Sequence, residues 1–159
     1  MRSLLLAVVV AAPSLAQTPA MTNSQTAQPI VLHADRIIDG RGKVISGGSV
    51  TVLGAKISKV DASSAGTVTY ELKGLTLLPG LIDAHSHLSW YFNRKGRYHT
   101  RGDGDSTAQE MLSMAGNAYT TLMSGVTTIQ SPGSTEDKDL REWIALGQIP
   151  GPRVLTSLG

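Results

Sequence analysis

Two histidines separated by one residue, His85 and His87, are the side chains whose type and spacing best suit chemistry. Alternate side chains of a β-strand point to the same face, so a strand through this segment would project both imidazoles, together with Asp83, to one side. Imidazole nitrogens bind zinc at about 2.0 to 2.1 Å, and two rings on one face can reach the same ion. The pattern therefore predicts a divalent metal site on His85 and His87, with Asp83 as an outer residue that orients a ligand.

The residues before the pair indicate where in a fold it would lie. Leu75 to Ile82 is a mainly apolar run through Pro79-Gly80, which is typical of a buried parallel strand, and a polar loop follows. Histidines at the carboxyl end of such a strand are where barrel enzymes keep their catalytic groups. The alternative is a solvated loop pair that binds no metal. Because the sequence contains no cysteine, a metal here must be bound by histidine, carboxylate or water.

A long connection, Ser89 to Asp105, follows the histidine pair. Connections of this kind usually have about 2 to 6 residues, and long ones tend to carry function. This one interleaves aromatic and cationic side chains that would suit an anionic or aromatic substrate group, and it also contains a histidine that we assign to the loop rather than to the metal. The alternative is a solvated, mobile loop. The candidate substrate-binding residues are Trp90, Tyr91, Arg94, Arg97 and His99.

Secondary-structure signals divide the rest of the chain into two parts. Short β patterns at residues 30–38, 49–53, 56–60 and 67–72 predict a small sheet, with Gly54-Ala55 as a hairpin turn. Beyond the histidines, a capping box that starts at Thr107 predicts a helix to about Ser124, with a face that contains Met111, Ala115, Ala118 and Leu122. Strands at 126–130 and 153–156 and a helix at 137–146 follow. This βαβαβ order predicts a parallel α/β sheet with right-handed crossovers.

The segment Pro79-Gly80-Leu81-Ile82-Asp83-Ala84-His85-Ser86-His87 resembles the first barrel strand of the amidohydrolase superfamily. Gly125 to Ile129 is similar to the second strand of that family, and Ile149 to Val154 to the approach to the third, in the branch of imidazolonepropionase-like and secreted prolidase-like enzymes. The resemblance implies a (β/α)8 (TIM) barrel beside a composite β-sandwich. It also implies one or two divalent ions, most often Zn²⁺. The remaining ligands and the catalytic aspartate of the family come from later strands, which would lie beyond Gly159.

Length limits how much of that architecture these residues can form. A complete (β/α)8 barrel needs about 250 residues, whereas residues 80–159 are only 80. We therefore expect the amino-terminal part of a longer protein; a partner chain or a different small open α/β protein are the alternatives. The expected divisions are a signal peptide at 1–16, a flexible linker at 17–28, β-strands of the sandwich at 29–78 and the first part of the barrel at 79–159.

Composition and the first residues indicate the compartment and the class of partner. Arg2, an apolar stretch from Leu4 to Ala12 and Ser14-Leu15-Ala16 have the pattern of a secretory signal, and the apolar stretch is too short to span a bilayer. We therefore expect a periplasmic or secreted protein without a stable membrane anchor. A net charge of only +2 does not suggest nucleic acid. A homo-oligomer is compatible with these features.

These observations favour a secreted metal-dependent amidohydrolase that cleaves amide or related C–N bonds by means of a metal-activated water. The expected substrate is a small molecule or peptide, such as a dipeptide or an N-acyl amino acid. The alternative is a truncated, non-catalytic homologue that serves as a binding or scaffold segment. The sequence leaves open the exact substrate and the number of metal ions.

Overall fold

A computed structural model describes residues 28–63, 66–100, 102–132 and 135–157. The predicted signal peptide and all but the last residue of the predicted linker lie outside these residues. Gly159, beyond which we expect the catalytic base and the remaining metal ligands, also lies outside them. Two sheets organise the described chain, one of four strands and one of three. Within the described ranges, no helix is both long and apolar enough to cross a membrane.

The first sheet consists of β1 (Ile30–Ile38), β2 (Val44–Leu53), β3 (Lys56–Asp61) and β4 (Tyr70–Leu77), in the order β3-β2-β1-β4. β1 pairs antiparallel with β2 and parallel with β4, and β2 and β3 form an antiparallel hairpin. Gly54 has the positive φ of 57° that this turn needs, which confirms the predicted hairpin. A small core lies on one face of the sheet, formed by Ala34, Ile37, Ile45 and Val50. The described residues form a single layer here, so the sandwich remains a prediction.

The predicted end of β4 is wrong. The sequence suggested a strand over 67–72 that stops before Gly74, whereas β4 begins at Tyr70 and continues through that glycine to Leu77. Gly74 has a φ of 74°, its N–H donates to Asp35 Oδ2 at 2.8 Å, and the pairing with β1 shifts register between Ala34 and Arg36. Glycine therefore makes a bulge inside the strand instead of ending it.

The second sheet contains β5 (Leu81–Asp83), β6 (Val126–Pro132) and β7 (Arg153–Ser157), which are parallel and lie in that order. Helix α1 (Thr107–Met123) joins β5 to β6, and α2 (Asp137–Ala145) joins β6 to β7. The predicted parallel βαβαβ arrangement is confirmed. Its core lies between the helices and the central strand and consists of Leu88, Met114, Ala118, Ile129, Leu140 and Val154.

The prediction of a long, buried first strand is wrong in two respects. β5 ends at Asp83, before either histidine, and its residues are exposed, with Leu81 at 53% and Ile82 at 74%. β5 is one of the two edge strands of this sheet, and the two helices make their main contacts with β6 and β7. No described element covers β5, so its apolar side chains remain in contact with solvent.

Helix α1 begins one residue earlier than its sequence pattern suggested. Ser106, not Thr107, is the N-cap: its Oγ accepts from Gln109 N at 3.3 Å, and Gln109 Oε1 accepts from Ser106 N at 2.8 Å. The buried face is also narrower than predicted, because only Met114 and Ala118 are fully buried. A helix over one side of a three-stranded sheet has little apolar surface to contact, so the predicted face residues Met111, Ala115 and Leu122 are only partly buried. Other large apolar side chains of the helix, Leu112, Tyr119 and Met123, are exposed.

Gly80 leads directly into β5, and the structure leaves no space for a side chain there. A Cβ at this position would overlap the side chain of Thr127 on β6. Gly80→Ala is expected to lower the free energy of unfolding by about 1 to 3 kcal/mol, because overpacking forces the backbone to shift. Gly116→Ala is the matched control, because nothing lies within 4 Å of its Cβ position in α1 and alanine favours a helix. The free energies of unfolding are measured by urea denaturation. Equal changes in the two variants would contradict the close approach of Gly80 to Thr127.

Candidate functional site

The two histidines lie in the bend that follows β5, and their rings converge. His85 Nε2 and His87 Nε2 are 3.2 Å apart, with ring centroids at 5.1 Å and planes at 74°. Two nitrogens that bind one tetrahedral zinc ion at its usual distance are about 3.3 Å apart. The arrangement of the two rings therefore fits a shared ion, although a continuous strand does not produce it.

Backbone hydrogen bonds produce this arrangement instead. Ser86 N donates to Gln130 O at 2.9 Å, so the segment between the histidines still follows β6 after β5 has ended. Asp83 Oδ1 accepts from His85 N at 3.0 Å and stabilises the bend. Asp83 was expected to orient a ligand from an outer position; its hydrogen bond holds the backbone of His85 rather than an imidazole nitrogen. Its role in metal binding stays a prediction.

The pair supplies only part of a metal-binding site. Across the described ranges, no group of three or more histidine, aspartate and glutamate side chains gathers in a way that could hold a metal ion. Catalytic zinc ordinarily has three protein ligands and an open position. The residues described here therefore provide two candidate nitrogen ligands, and additional ligands would be required to complete a catalytic centre. That these ligands and the catalytic base lie beyond Gly159 stays a prediction.

Trp90 forms a wall directly beside the pair. Its indole stacks on the His87 imidazole with centroids at 4.3 Å and planes at 17°, and Tyr98 contacts the indole edge-on at 5.8 Å. Asn117 on α1 fixes this part of the chain, because its Nδ2 donates to Leu88 O at 2.8 Å and to Trp90 O at 2.9 Å. The sequence analysis did not single out Asn117, because the sequence does not show which group a polar side chain on a helix will hydrogen-bond.

His99 lies in a separate hydrogen-bonded group, as its assignment to the loop suggested. Its Nδ1 is 3.1 Å from Asp105 Oδ2 and its Nε2 is 3.2 Å from Glu110 Oε1, so both ring nitrogens have carboxylate partners. Tyr91 stacks on the ring at 4.5 Å and donates its hydroxyl to Asp105 Oδ2 at 3.2 Å. Burial of Tyr91, reinforced by the Asp105 carboxylate, raises the pKa of that phenol to about 12.

A cavity of about 650 Å³ joins these two groups. The aromatic members of the predicted substrate loop, Trp90 and Tyr91, line it together with His99, but Arg94 and Arg97 do not. Arg94 is exposed, and Arg97 Nη2 contacts Asp103 Oδ1 at 3.4 Å on the surface. Other side chains that line the cavity are His87, Tyr98, Glu110 and Glu136. The described wall is therefore aromatic and acidic rather than cationic. A role of Arg94 and Arg97 in substrate binding stays a prediction.

Asp137 is a further residue that sequence reasoning placed only at the start of a helix. It is completely buried next to Ser131, at the end of β6, and Thr156, in β7. Burial raises the pKa of the Asp137 carboxyl, an effect that the nearby hydroxyl groups and the charge of His87 oppose. The predicted strand ended at residue 130; because β6 continues to Pro132, Ser131 belongs to the strand and is buried.

The pKa of Tyr91 predicts a measurable effect at high pH. An unfolded tyrosine ionises near pH 10, so between about pH 10 and 12 the unfolded chain loses a proton that the folded chain keeps, and stability falls as pH rises. In a titration of absorbance at 295 nm, the folded protein should show a tyrosine transition near pH 12. Tyr91→Phe should remove this transition, whereas Tyr119→Phe, an exposed position on α1, should retain it. A transition near pH 12 that survives Tyr91→Phe would refute the assignment.

Comparisons with known proteins agree with this geometry. The amidohydrolase family model matches residues 76–158. An imidazolonepropionase from Arthrobacter sp. (strain FB24) is 32% identical over 114 residues, which cover 70% of this chain and 25% of the relative. The structure of a Xaa-Pro dipeptidase with methionine bound in its active site is similar, with a TM-score of 0.67, 26% identity and coverage of 82% of this chain and 33% of that one.

A prolidase in complex with N-methylphosphonate-L-proline has the same fold over 82% of this chain and 32% of its own, with a TM-score of 0.67 and 22% identity. The chain thus spans about a quarter to a third of the length of these relatives. The family match covers more than half of the chain, including β5, the histidine pair and both crossover helices. The chain belongs to the amidohydrolase family.

Proposed function

We propose that this chain provides the first metal-binding segment of a hydrolase that acts on amide or related C–N bonds. The observation that carries the proposal is the 3.2 Å separation of His85 Nε2 and His87 Nε2, which suits a shared ion. Membership of the amidohydrolase family supports hydrolysis of C–N bonds as the reaction class. His85 and His87 would be two of the ligands, and the others would come from strands outside these 159 residues.

The chain's own residues position and enclose the site. Asp83 and the Ser86–Gln130 hydrogen bond hold the bend, so the two imidazoles start from nearly the geometry that an ion requires. Trp90 covers one face of the His87 ring and keeps water from that side. A divalent ion, when bound, supplies a Lewis acid that polarises a carbonyl and lowers the pKa of a water molecule. Zinc is the ion that we propose, because imidazole is among its preferred ligands and the sequence contains no thiolate.

We propose that the substrate enters the cavity beside His87. Its aromatic walls suit an apolar side chain, and its volume of about 650 Å³ is sufficient for a dipeptide or an N-acyl amino acid. The structural relative described as a Xaa-Pro dipeptidase with bound methionine supports this substrate class. Export to the periplasm or the medium, suggested by the first 16 residues, would place such an enzyme where peptides are broken down.

A non-catalytic homologue remains the second candidate. Two ligands alone, with no third acidic or imidazole side chain within reach in the described residues, favour a segment that binds metal weakly or not at all. Metal analysis of the purified 159-residue chain after gel filtration addresses this point. We expect it to retain less than one equivalent of zinc, whereas the full gene product should retain at least one if it is the enzyme.

The histidine pair is tested in the full gene product with a panel of dipeptides and N-acyl amino acids. His85→Ala combined with His87→Ala should lower chelator-sensitive hydrolysis by more than the roughly 10- to 100-fold that loss of an outer partner of a ligand typically costs. His33→Ala is the matched control, because His33 lies on β1 and contacts Glu71, not the site. Undiminished hydrolysis in the double variant would eliminate the proposed role. No hydrolysis by a zinc-loaded wild type would favour the non-catalytic homologue.

A further inference from the structure

Polar side chains from three successive elements, two of them fully buried and one half-buried, meet behind the candidate site. Ser131 is at the end of β6, Asp137 begins α2, and Thr156 lies in β7. Ser131 and Asp137 are both 0% exposed, and the hydroxyl oxygen of Thr156 is also buried. The hydroxyls of Ser131 and Thr156 lie near enough to the Asp137 carboxyl group to influence its charge. We refer to these three residues as the polar cluster.

The polar cluster is unsatisfied by the residues around it. Among the described residues, Ser131 Oγ, Asp137 Oδ1, Asp137 Oδ2 and Thr156 Oγ1 have no hydrogen bond of ordinary length. Isolated buried polar atoms are costly, and proteins rarely leave several of them together. Four such atoms from three elements therefore indicate a shared hydrogen-bonding partner between them.

The chemistry of the four oxygens limits which molecule or ion can bind between them. A carboxylate only accepts hydrogen bonds, and each hydroxyl can donate one and accept others, so the cluster has two donors for four oxygens that can all accept. A divalent ion of the calcium or magnesium type prefers six or more oxygen ligands, and the cluster offers four oxygens with one formal charge. A water molecule supplies two donors and can accept from a hydroxyl, and buried waters typically make about three such bonds.

We propose that one buried water molecule bridges Ser131, Asp137 and Thr156. The water donates to the Asp137 carboxyl group and to one hydroxyl oxygen and accepts from the other hydroxyl. It thereby connects the start of α2 to the carboxyl ends of β6 and β7. This site does not depend on the proposed hydrolase activity, because it requires only the fold.

The bridging water supports the histidine pair indirectly, through β6. Gln130, the neighbour of Ser131 in β6, is the residue whose carbonyl holds Ser86 between the two histidines. A water that fixes the end of β6 against β7 and α2 therefore fixes the strand against which the pair is held. We assign the polar cluster a positioning role and no contact with substrate.

Thermal unfolding of single and double variants tests the shared water. Ser131→Ala and Thr156→Val in the full protein should each lower Tm, on the order of 5 °C, because each leaves a buried group with one partner fewer. If both hydroxyls bind the same water, the double variant should lose clearly less than the sum of the two. Ser157→Ala, at an exposed serine on β7, is the control and should leave Tm unchanged. Additive losses would overturn the shared site.

Crystallography identifies the molecule bound at the polar cluster directly. A crystal structure at high resolution should show one water within about 2.7 to 3.2 Å of at least three of the four oxygens in the wild type. An empty gap, a bound cation, or a side chain from elsewhere in the protein at that position would overturn the proposal. Replacement of sodium by potassium or choline should leave Tm unchanged; a Tm that depends on one cation would also overturn it. Asp137→Asn, which keeps the shape and an acceptor, should retain the water.

Discussion

The candidate site depends on the parallel alignment of the chain around β5 with β6. Two backbone hydrogen bonds, Leu81 N to Gly125 O and Ser86 N to Gln130 O, both at 2.9 Å, hold the segment before and after the point where β5 ends. Between them the chain leaves strand geometry, and the bend turns both imidazoles towards one point. Because β6 is the central strand and its Ile129 is fully buried, the rigid core of the sheet determines the position of the histidine pair.

The two histidine environments near the cavity have different physical roles. His85 and His87 approach each other through their Nε2 nitrogens, and no third acidic or imidazole side chain in the described residues joins them in a group that could hold a metal ion. His99 is enclosed by Asp105 and Glu110, and Tyr91 covers its ring. Its hydrogen-bonding capacity is used within the loop. The same residue type thus provides candidate ligands in one place and a structural connection between loop and helix in the other.

Trp90 and Asn117 connect those two environments to the core. Trp90 stacks on His87 while Tyr98 contacts the indole edge-on, so the loop is in contact with the histidine pair. Asn117 holds the backbone on either side of Ser89 by two hydrogen bonds from α1. Leu88, at 2% exposure, anchors the same stretch in the apolar core. Contacts with α1 and with the core therefore hold the first part of the long loop, including Trp90, at the cavity wall.

The sequence by itself determined the element order, the parallel sheet and the identity of the histidine pair. These features follow from local signals in the sequence. The signals are β-branched and apolar runs, capping residues, glycines at turns, and a histidine motif whose side chains are common metal ligands. Three details depended instead on contacts with neighbouring residues in the fold. They are the exposure of β5, the bulge at Gly74 and the position of the N-cap of α1.

Only the tertiary structure decided which distant groups come together. Sequence spacing placed Arg94 and Arg97 in the substrate loop, but contacts within the loop hold Arg97 on the surface, and acidic side chains occupy the described cavity wall instead. Ser131, Asp137 and Thr156 are separated along the chain and meet because parallel strands end at the same edge of a sheet. Burial and pairing are properties of that three-dimensional arrangement, and no local pattern encodes them.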